Sequence, residues 1–212
     1  MKNFYRKVAF GLKPDEKILG ILFLSLLLIG NAFASKVGSK DEVVAALKKG
    51  GSIVFIRHAY APRINNKFEP DDFYSGSLKK KDCSVQRDLD ERGMAQAKVI
   101  GAIFKENNIE IDKVLTSIYC RCFKTAEEIS EDYEISKMII SIGRGNVSKK
   151  KKQLKKIRKY IEKWDSNKNL IIVSHFNVIN PLFEKSLLSI GSGEIVVSDK
   201  NFNILGNWKV PY

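Results

Sequence analysis

Two segments of the chain share one design. Ile53-Val54-Phe55-Ile56 runs straight into Arg57-His58, and Leu170-Ile171-Ile172-Val173 runs straight into Ser174-His175. Four consecutive apolar residues, rich in β-branched types, read as strands buried on both faces. Such strands belong to parallel sheets covered by helices on each side. The remaining pattern agrees. Helices are expected over Asp41–Lys49, from a cap at Asp90 to about Glu106, over Cys120–Ser130, over 149–164 and around Pro181–Leu188. In the second of these, Met94, Ala97, Ile100, Ile103 and Phe104 recur along one stripe. Further strands are expected at Lys113–Thr116 and Met138–Ser141, with a closing hairpin of Glu194–Val197 and Phe202–Trp208. The expected architecture is a three-layer α/β/α domain with a mostly parallel central sheet. Residues 59–88 have no period, and a connection of that length is usually functional.

The first 34 residues are expected to lie outside that domain, which then spans 35–212. Lys2, Arg6, Lys7, Lys13 and Lys17 precede an apolar run from Ile18 to Ile29, and Ala32-Phe33-Ala34 follows with small residues before Ser35. This is the pattern of a secretory signal peptide. The run is short of the ~20 residues of a membrane span, although Pro14, Asp15 and Glu16 leave an uncleaved N-terminal anchor as the alternative. Cleavage would remove five basic and two acidic residues and lower the net charge from +13 to about +10. A periplasmic or secreted location permits disulfides. The chain has three cysteines, Cys83, Cys120 and Cys122, at spacings that do not suit zinc.

The chain has only two histidines, His58 and His175. Each lies just past the carboxyl end of a buried strand, where ligands bind in open α/β sheets. Either alone would pass for a polar residue at a strand end. The repetition, with no histidine elsewhere, points to one shared pocket. A metal site would need a third ligand that no fixed spacing supplies, so neither metal nor cofactor is expected. Covalent phosphoryl transfer fits better. A neutral imidazole nitrogen can attack phosphorus, and guanidinium forks bind the phosphoryl oxygens. Arg57 is one fork. Arg121, in the first turn of the helix after strand 113–116, is a second candidate.

These residues carry a resemblance. Arg57-His58-Ala59 is similar to the Arg-His-Gly signature of the histidine phosphatase (phosphoglycerate mutase-like) superfamily, with alanine for glycine. Ser117-Ile118-Tyr119-Cys120-Arg121-Cys122-Phe123-Lys124-Thr125-Ala126 resembles that family's Ser-x-x-x-Arg-x-x-x-Thr-Ala segment. Val173-Ser174-His175 resembles its second histidine motif. Cys83-Ser84-Val85-Gln86-Arg87-Asp88-Leu89, with Gly93 and Gln96-Ala97, resembles an exported bacterial branch. The resemblance implies the fold of that superfamily, with His58 as nucleophile, Arg57 and Arg121 on the phosphoryl oxygens, and His175 as a further donor. It also implies an acid for the leaving group, for which Glu194 comes first and Asp72 second. If the 83–89 segment and the Arg121 helix line one pocket, as the resemblance implies, Cys83 and Cys120 are expected to form a disulfide. Cys122 is then expected on the far side of the helix as a buried thiol.

The expected function is metal-independent hydrolysis of a phosphomonoester borne on a small molecule, a sugar or a protein. The alternatives are a phosphomutase and a weakly catalytic protein that binds phosphorylated ligands or anionic polymers. The run Lys149-Lys150-Lys151-Lys152 opens a helix whose Leu154, Ile157 and Ile161 face a core. Its lysines read as a solvated face, with an anionic envelope surface as a better partner than nucleic acid.

Overall fold

The structure, a computed structural model, describes residues 38–63, 83–84, 86–142, 147–183 and 189–212. The proposed leader and the loop residues Asp72, Phe68, Phe73 and Tyr74 lie outside the described residues. A six-stranded sheet organises the unit Val37–Tyr212. Its strands are β1 (Ile53–Arg57), β2 (Ile111–Thr116), β3 (Glu134–Ile135), β4 (Asn169–Ser174), β5 (Glu194–Ser198) and β6 (Ile204–Lys209), in the order β3-β2-β4-β1-β5-β6. The four strands from β3 to β1 are parallel, and β5 and β6 complete the sheet antiparallel.

The alternation of side chains along each strand builds two cores. Val54 and Ile56 of β1 and Ile171 and Val173 of β4 face one layer, made of α1 (Lys40–Lys48), α2 (Glu91–Glu106) and α3 (Cys120–Ile129). Ile53, Phe55, Leu170 and Ile172 face the other, which contains Ile157 and Ile161 of α4 (Val147–Lys163) and Val178 and Ile179 of the short α5 (Phe176–Ile179). This is the expected three-layer α/β/α fold.

The helices start where local chemistry provides caps. Ser39 and Glu42 form a capping box on α1, and Asp90 accepts a hydrogen bond from the Gly93 N–H on α2. Two expectations are corrected. Met138–Ser141 is not a strand. Ser136 accepts from the Met138 N–H and opens a 3₁₀ turn at Lys137–Ile139, and the edge strand is the preceding Glu134–Ile135, paired with Leu115 and Thr116. The helix placed at Pro181–Leu188 begins earlier, directly after His175. Pro181 sits in a 3₁₀ turn at Asn180–Leu182, and residues 184–188 lie outside the described residues.

The end of the sheet away from the histidines is fastened by Asn169. Its Oδ1 accepts from the Ser52 N–H at 3.3 Å, and its Nδ2 donates to Leu47 O and Glu110 O, each at 2.9 Å. Removing the amide leaves the buried Ser52 N–H without its acceptor. We expect Asn169→Ala to cost about 1–3 kcal/mol in urea unfolding. Ligand binding at the opposite end of the sheet should be unchanged once the variant is folded.

Candidate active site

β1 and β4 are neighbours, with Arg57 opposite Ser174. The ladder continues one step beyond the strands, where the His58 N–H donates to Ser174 O at 3.0 Å. Both imidazoles therefore leave the sheet at the same edge, with ring centroids 5.5 Å apart. β2 ends at the same level, because the Ser117 N–H donates to Val173 O. From there the chain turns into α3, whose first turn inserts Cys120, Arg121 and Cys122 into the protein.

Arg121 bridges the two histidines. Its Nε–H donates to His58 Nε2 at 3.2 Å, and its NH2 lies 3.4 Å from His175 Nδ1. Its guanidinium also lies 4.6 Å from the Tyr119 ring centroid. Hydrogen-bond roles fix both tautomers. His58 Nδ1 is 2.7 Å from Ala59 O, so it carries the proton, and Nε2 presents its lone pair. At His175 the guanidinium faces Nδ1, so the proton sits on Nε2, 2.9 Å from Ser117 Oγ. Arg57 extends NH1 to Ile190 O at 2.8 Å, while its buried Nε has no acceptor among the described residues. That free donor is the kind of group a phosphoryl oxygen satisfies.

Burial comes first among the forces on the two imidazoles and pushes both well below the ordinary histidine range. For His58 the Arg121, Arg57 and Arg87 guanidiniums add to this, while the bond to Ala59 O works against it. For His175 the added influences, in order, are Arg121, His58, Arg57 and Arg87. Burial and the nearby Arg121 likewise lower Arg57, which Glu194 partly restores. The empty pocket thus holds neutral imidazoles among guanidinium charges. It is preset for an anion.

Glu194 is buried at the start of β5, within electrostatic reach of Arg57. Its Oε2 accepts from the Gly191 N–H at 2.6 Å and its Oε1 from Asn207 Nδ2 at 3.3 Å. The turn before it brings Gly193, whose N–H reaches Arg57 O and His58 O at 3.1 Å each. Gly193 has φ +69°, and a Cβ there would stand 2.2 Å from the Gln96 amide carbon, so both backbone and space require glycine.

A sequence profile of the histidine phosphatase superfamily (branch 1) matches residues 79–169, which hold Arg87 and Arg121 and lie between the two histidines. Solved structures share the fold. SixA, a protein histidine phosphatase solved with tungstate, is 17% identical with a TM-score of 0.50; the match covers 76% of this chain and 96% of that one. A candidate phosphohistidine phosphatase SixA of Agrobacterium tumefaciens is 16% identical at 0.50, over 74% and 97%. A candidate α-ribazole-5′-phosphate phosphatase of Escherichia coli is 13% identical at 0.53, over 76% and 99%. Residues 79–169 are thus similar to the histidine phosphatase superfamily, and the fold is the one these solved structures share. No curated protein matches it in sequence.

Against that superfamily's signature, the structure brings Arg57, His58, Arg121 and His175 together and sets Glu194 beside Arg57. Asp72 lies outside the described residues. Cys83 and Cys120 are joined by a disulfide with Cα atoms 5.7 Å apart. Cys122 is the expected buried thiol outside the disulfide, and its Sγ lies 3.4 Å from His175 Nε2. The whole first turn of α3 enters the pocket wall, so a residue one step past Arg121 meets the second histidine.

Four residues carry site geometry without having been singled out as site residues. Gln86 Oε1 accepts from the Cys120 N–H at 3.1 Å, and Arg87 donates to Pro62 O at 3.0 Å and also to Ala61 O. Ser117 holds His175. Thr125 accepts from the Ala59 N–H at 3.0 Å and donates to Arg121 O at 2.6 Å, tying the loop after His58 to α3. Only the motif match hinted at them, because each acts on backbone supplied by a distant segment.

The lowered histidines give a pH dependence of definite sign. The unfolded chain takes up protons near 6.5 while the folded, empty pocket does not. Stability should therefore be full above about 6.5 and should fall as pH drops below it. With only two histidines, proton NMR can follow each one. Both Cε1–H signals should keep neutral-imidazole shifts through pH 6.5, and added tungstate should raise the midpoint of His175. Midpoints near 6.5 in the empty protein would contradict the geometry.

Proposed function

We propose that the protein is an exported phosphomonoester phosphatase that works through a phosphohistidine on His58. The observation that carries this reading is the arrangement around one nitrogen. His58 Nε2 is unprotonated and accepts from the Arg121 Nε–H, a bond that an incoming phosphoryl oxygen can take over to free the lone pair, while the neighbouring Arg57 Nε–H lacks an acceptor among the described residues. In the first step Nε2 attacks phosphorus and the bond to the leaving oxygen breaks. Arg57 and Arg121 hold the charge that builds on the phosphoryl oxygens. A dianion in the pocket draws a proton to His175 Nδ1, which then donates to the transferring group while Nε2–H stays on Ser117. Glu194 takes up a proton as the substrate dianion enters and gives it to the departing oxygen. Water then attacks the phosphohistidine and gives a proton back to Glu194, the P–N bond breaks and inorganic phosphate leaves.

Export is supported by the basic and apolar pattern of residues 1–34 and by the Cys83–Cys120 disulfide, which suits an oxidising compartment. Among the described residues no helix is long and apolar enough to cross a membrane. The substrate class is a phosphorylated small molecule, sugar or protein, in line with the phosphatase names of the structures that share the fold. One observation favours a rival, a phosphate-binding protein without turnover: both oxygens of Glu194 are already engaged. Hydrolysis of an aryl phosphate in the presence of EDTA decides between them. Turnover supports the phosphatase and its independence of metal, and tight vanadate binding without turnover supports the binder.

His58→Ala should abolish turnover and the acid-labile phosphoenzyme seen after acid quenching; residual activity within about tenfold of wild type would remove His58 from the nucleophile role, given what such a group contributes. Arg121→Ala should weaken vanadate inhibition by about 1.5–3 kcal/mol, the worth of one charge-assisted contact. For the acid, the leaving group is the probe. A general acid contributes ~10²–10⁴-fold when the departing oxygen is basic. Glu194→Gln should slow alkyl phosphate hydrolysis far more than aryl phosphate hydrolysis. Equal slowing of both moves the proton donor to Asp72.

A further inference from the structure

One strongly charged face has no part in the chemistry above. α4 carries nine basic residues and one acidic residue, Glu162, in 17 positions. Gln153, Ile157 and Ile161 turn inward on one stripe. Lys149, Lys151, Lys152, Lys155, Lys156 and Lys159 are exposed around it.

Two contacts locate this face relative to the pocket. Gln153 Nε2 donates to Ile140 O at 2.6 Å. Asn177, two residues past His175, donates to Ser141 Oγ at 2.9 Å and Ile142 O at 2.8 Å. The lysine-dense first half of α4 therefore packs beside the segment that backs the His175 wall, at the carboxyl edge of the sheet. The one arginine of the helix turns inward. Arg158 donates to Leu182 O at 2.7 Å and lies 4.4 Å from the Phe202 ring centroid.

The exposed charge is thus carried by lysine. An ammonium is a point charge without the planar fork that reads phosphates two at a time. No exposed aromatic side chain stands among these lysines, whereas surfaces that grip single-stranded nucleic acid interleave aromatics with charge. A convex lysine face of this kind complements a flat, diffuse sheet of negative charge. We propose that the lysine face of α4 docks the protein on an anionic phospholipid bilayer, with the Asn177 side of the pocket rim towards the lipid. The proposal goes beyond the phosphatase reading and does not depend on it.

The test uses the full-length chain and vesicles of phosphatidylcholine, alone or mixed with phosphatidylglycerol. The apolar run at residues 18–29 does not distinguish the two, and the five basic residues before it are common to wild type and variant, so the difference between those two proteins reports the α4 lysines, which respond to headgroup charge and are screened by salt. Wild type should partition more strongly onto the mixed vesicles, and added salt should erase the difference. The triple variant Lys151→Gln, Lys155→Gln, Lys159→Gln should lose roughly a hundredfold of that partition, at about fivefold per surface lysine. Its binding to pure phosphatidylcholine and its urea midpoint should not change. Equal partition of wild type onto both vesicles, or undiminished binding by the triple variant, would overturn the proposal. So would tighter binding of wild type to a DNA duplex than to mixed vesicles at the same salt, which would assign the face to nucleic acid.

Discussion

The bond from the His58 N–H to Ser174 O closes the β1–β4 ladder, and the site follows from that closure. Because side chains alternate along a strand, a slip of one residue would send His58 to the opposite face and exchange the contents of the two cores. Val54 and Ile56 on one side, with Ile53 and Phe55 on the other, oppose such a slip through burial. The same register stops β2 at Ser117, through its N–H on Val173 O. His58, His175 and the serine that contacts the second histidine are thus delivered by three adjacent strands ending at one level. α3 adds Arg121 from above.

The electrostatic consequence is a pocket that is uncomfortable when empty. Arg57, Arg87 and Arg121 all act on the histidines, and desolvation adds to their effect. Glu194 is the carboxylate that counters this charge at Arg57. A fold can hold such a concentration of cations only with firm scaffolding. Part of it is the short stretch from Cys83 to Asp88. It reaches α3 through the disulfide, through Gln86 and through the Asp88–Lys124 ion pair, and it reaches the loop after His58 through Arg87. Thr125 joins the same two segments from the other side.

The sheet and the two-histidine pocket were legible because they rest on local pattern. Uninterrupted apolar runs mark buried strands, and residues just past their ends share one edge of the sheet. Arg121 was legible from its place in the first turn of a helix. Glu194 was placed correctly at a strand start, yet its bonds to Gly191 and Asn207 depend on a turn and a neighbouring strand that pattern alone does not align. The contact of Cys122 with His175 was not legible, because helical periodicity gives relative angles around an axis, not the depth to which a helix end is inserted. The short edge strand at Glu134–Ile135 was missed for a similar reason. Two residues have no period, and pairing with Leu115 and Thr116 creates the strand.

Gln96 has a consequence for the far end of the chain. Its Oε1 accepts from the Tyr60 N–H at 2.8 Å, and its Nε2 donates to Ser192 O and Val210 O. Tyr212 lies stacked on Tyr60, with ring centroids 4.8 Å apart. A single amide thus links residue 210 to the loop that leaves His58, across 36 residues of sequence on one side of it and 114 on the other. Residues 210–212 belong to the mounting of that histidine, and a substitution of Gln96 would be felt at His58 from the outside in.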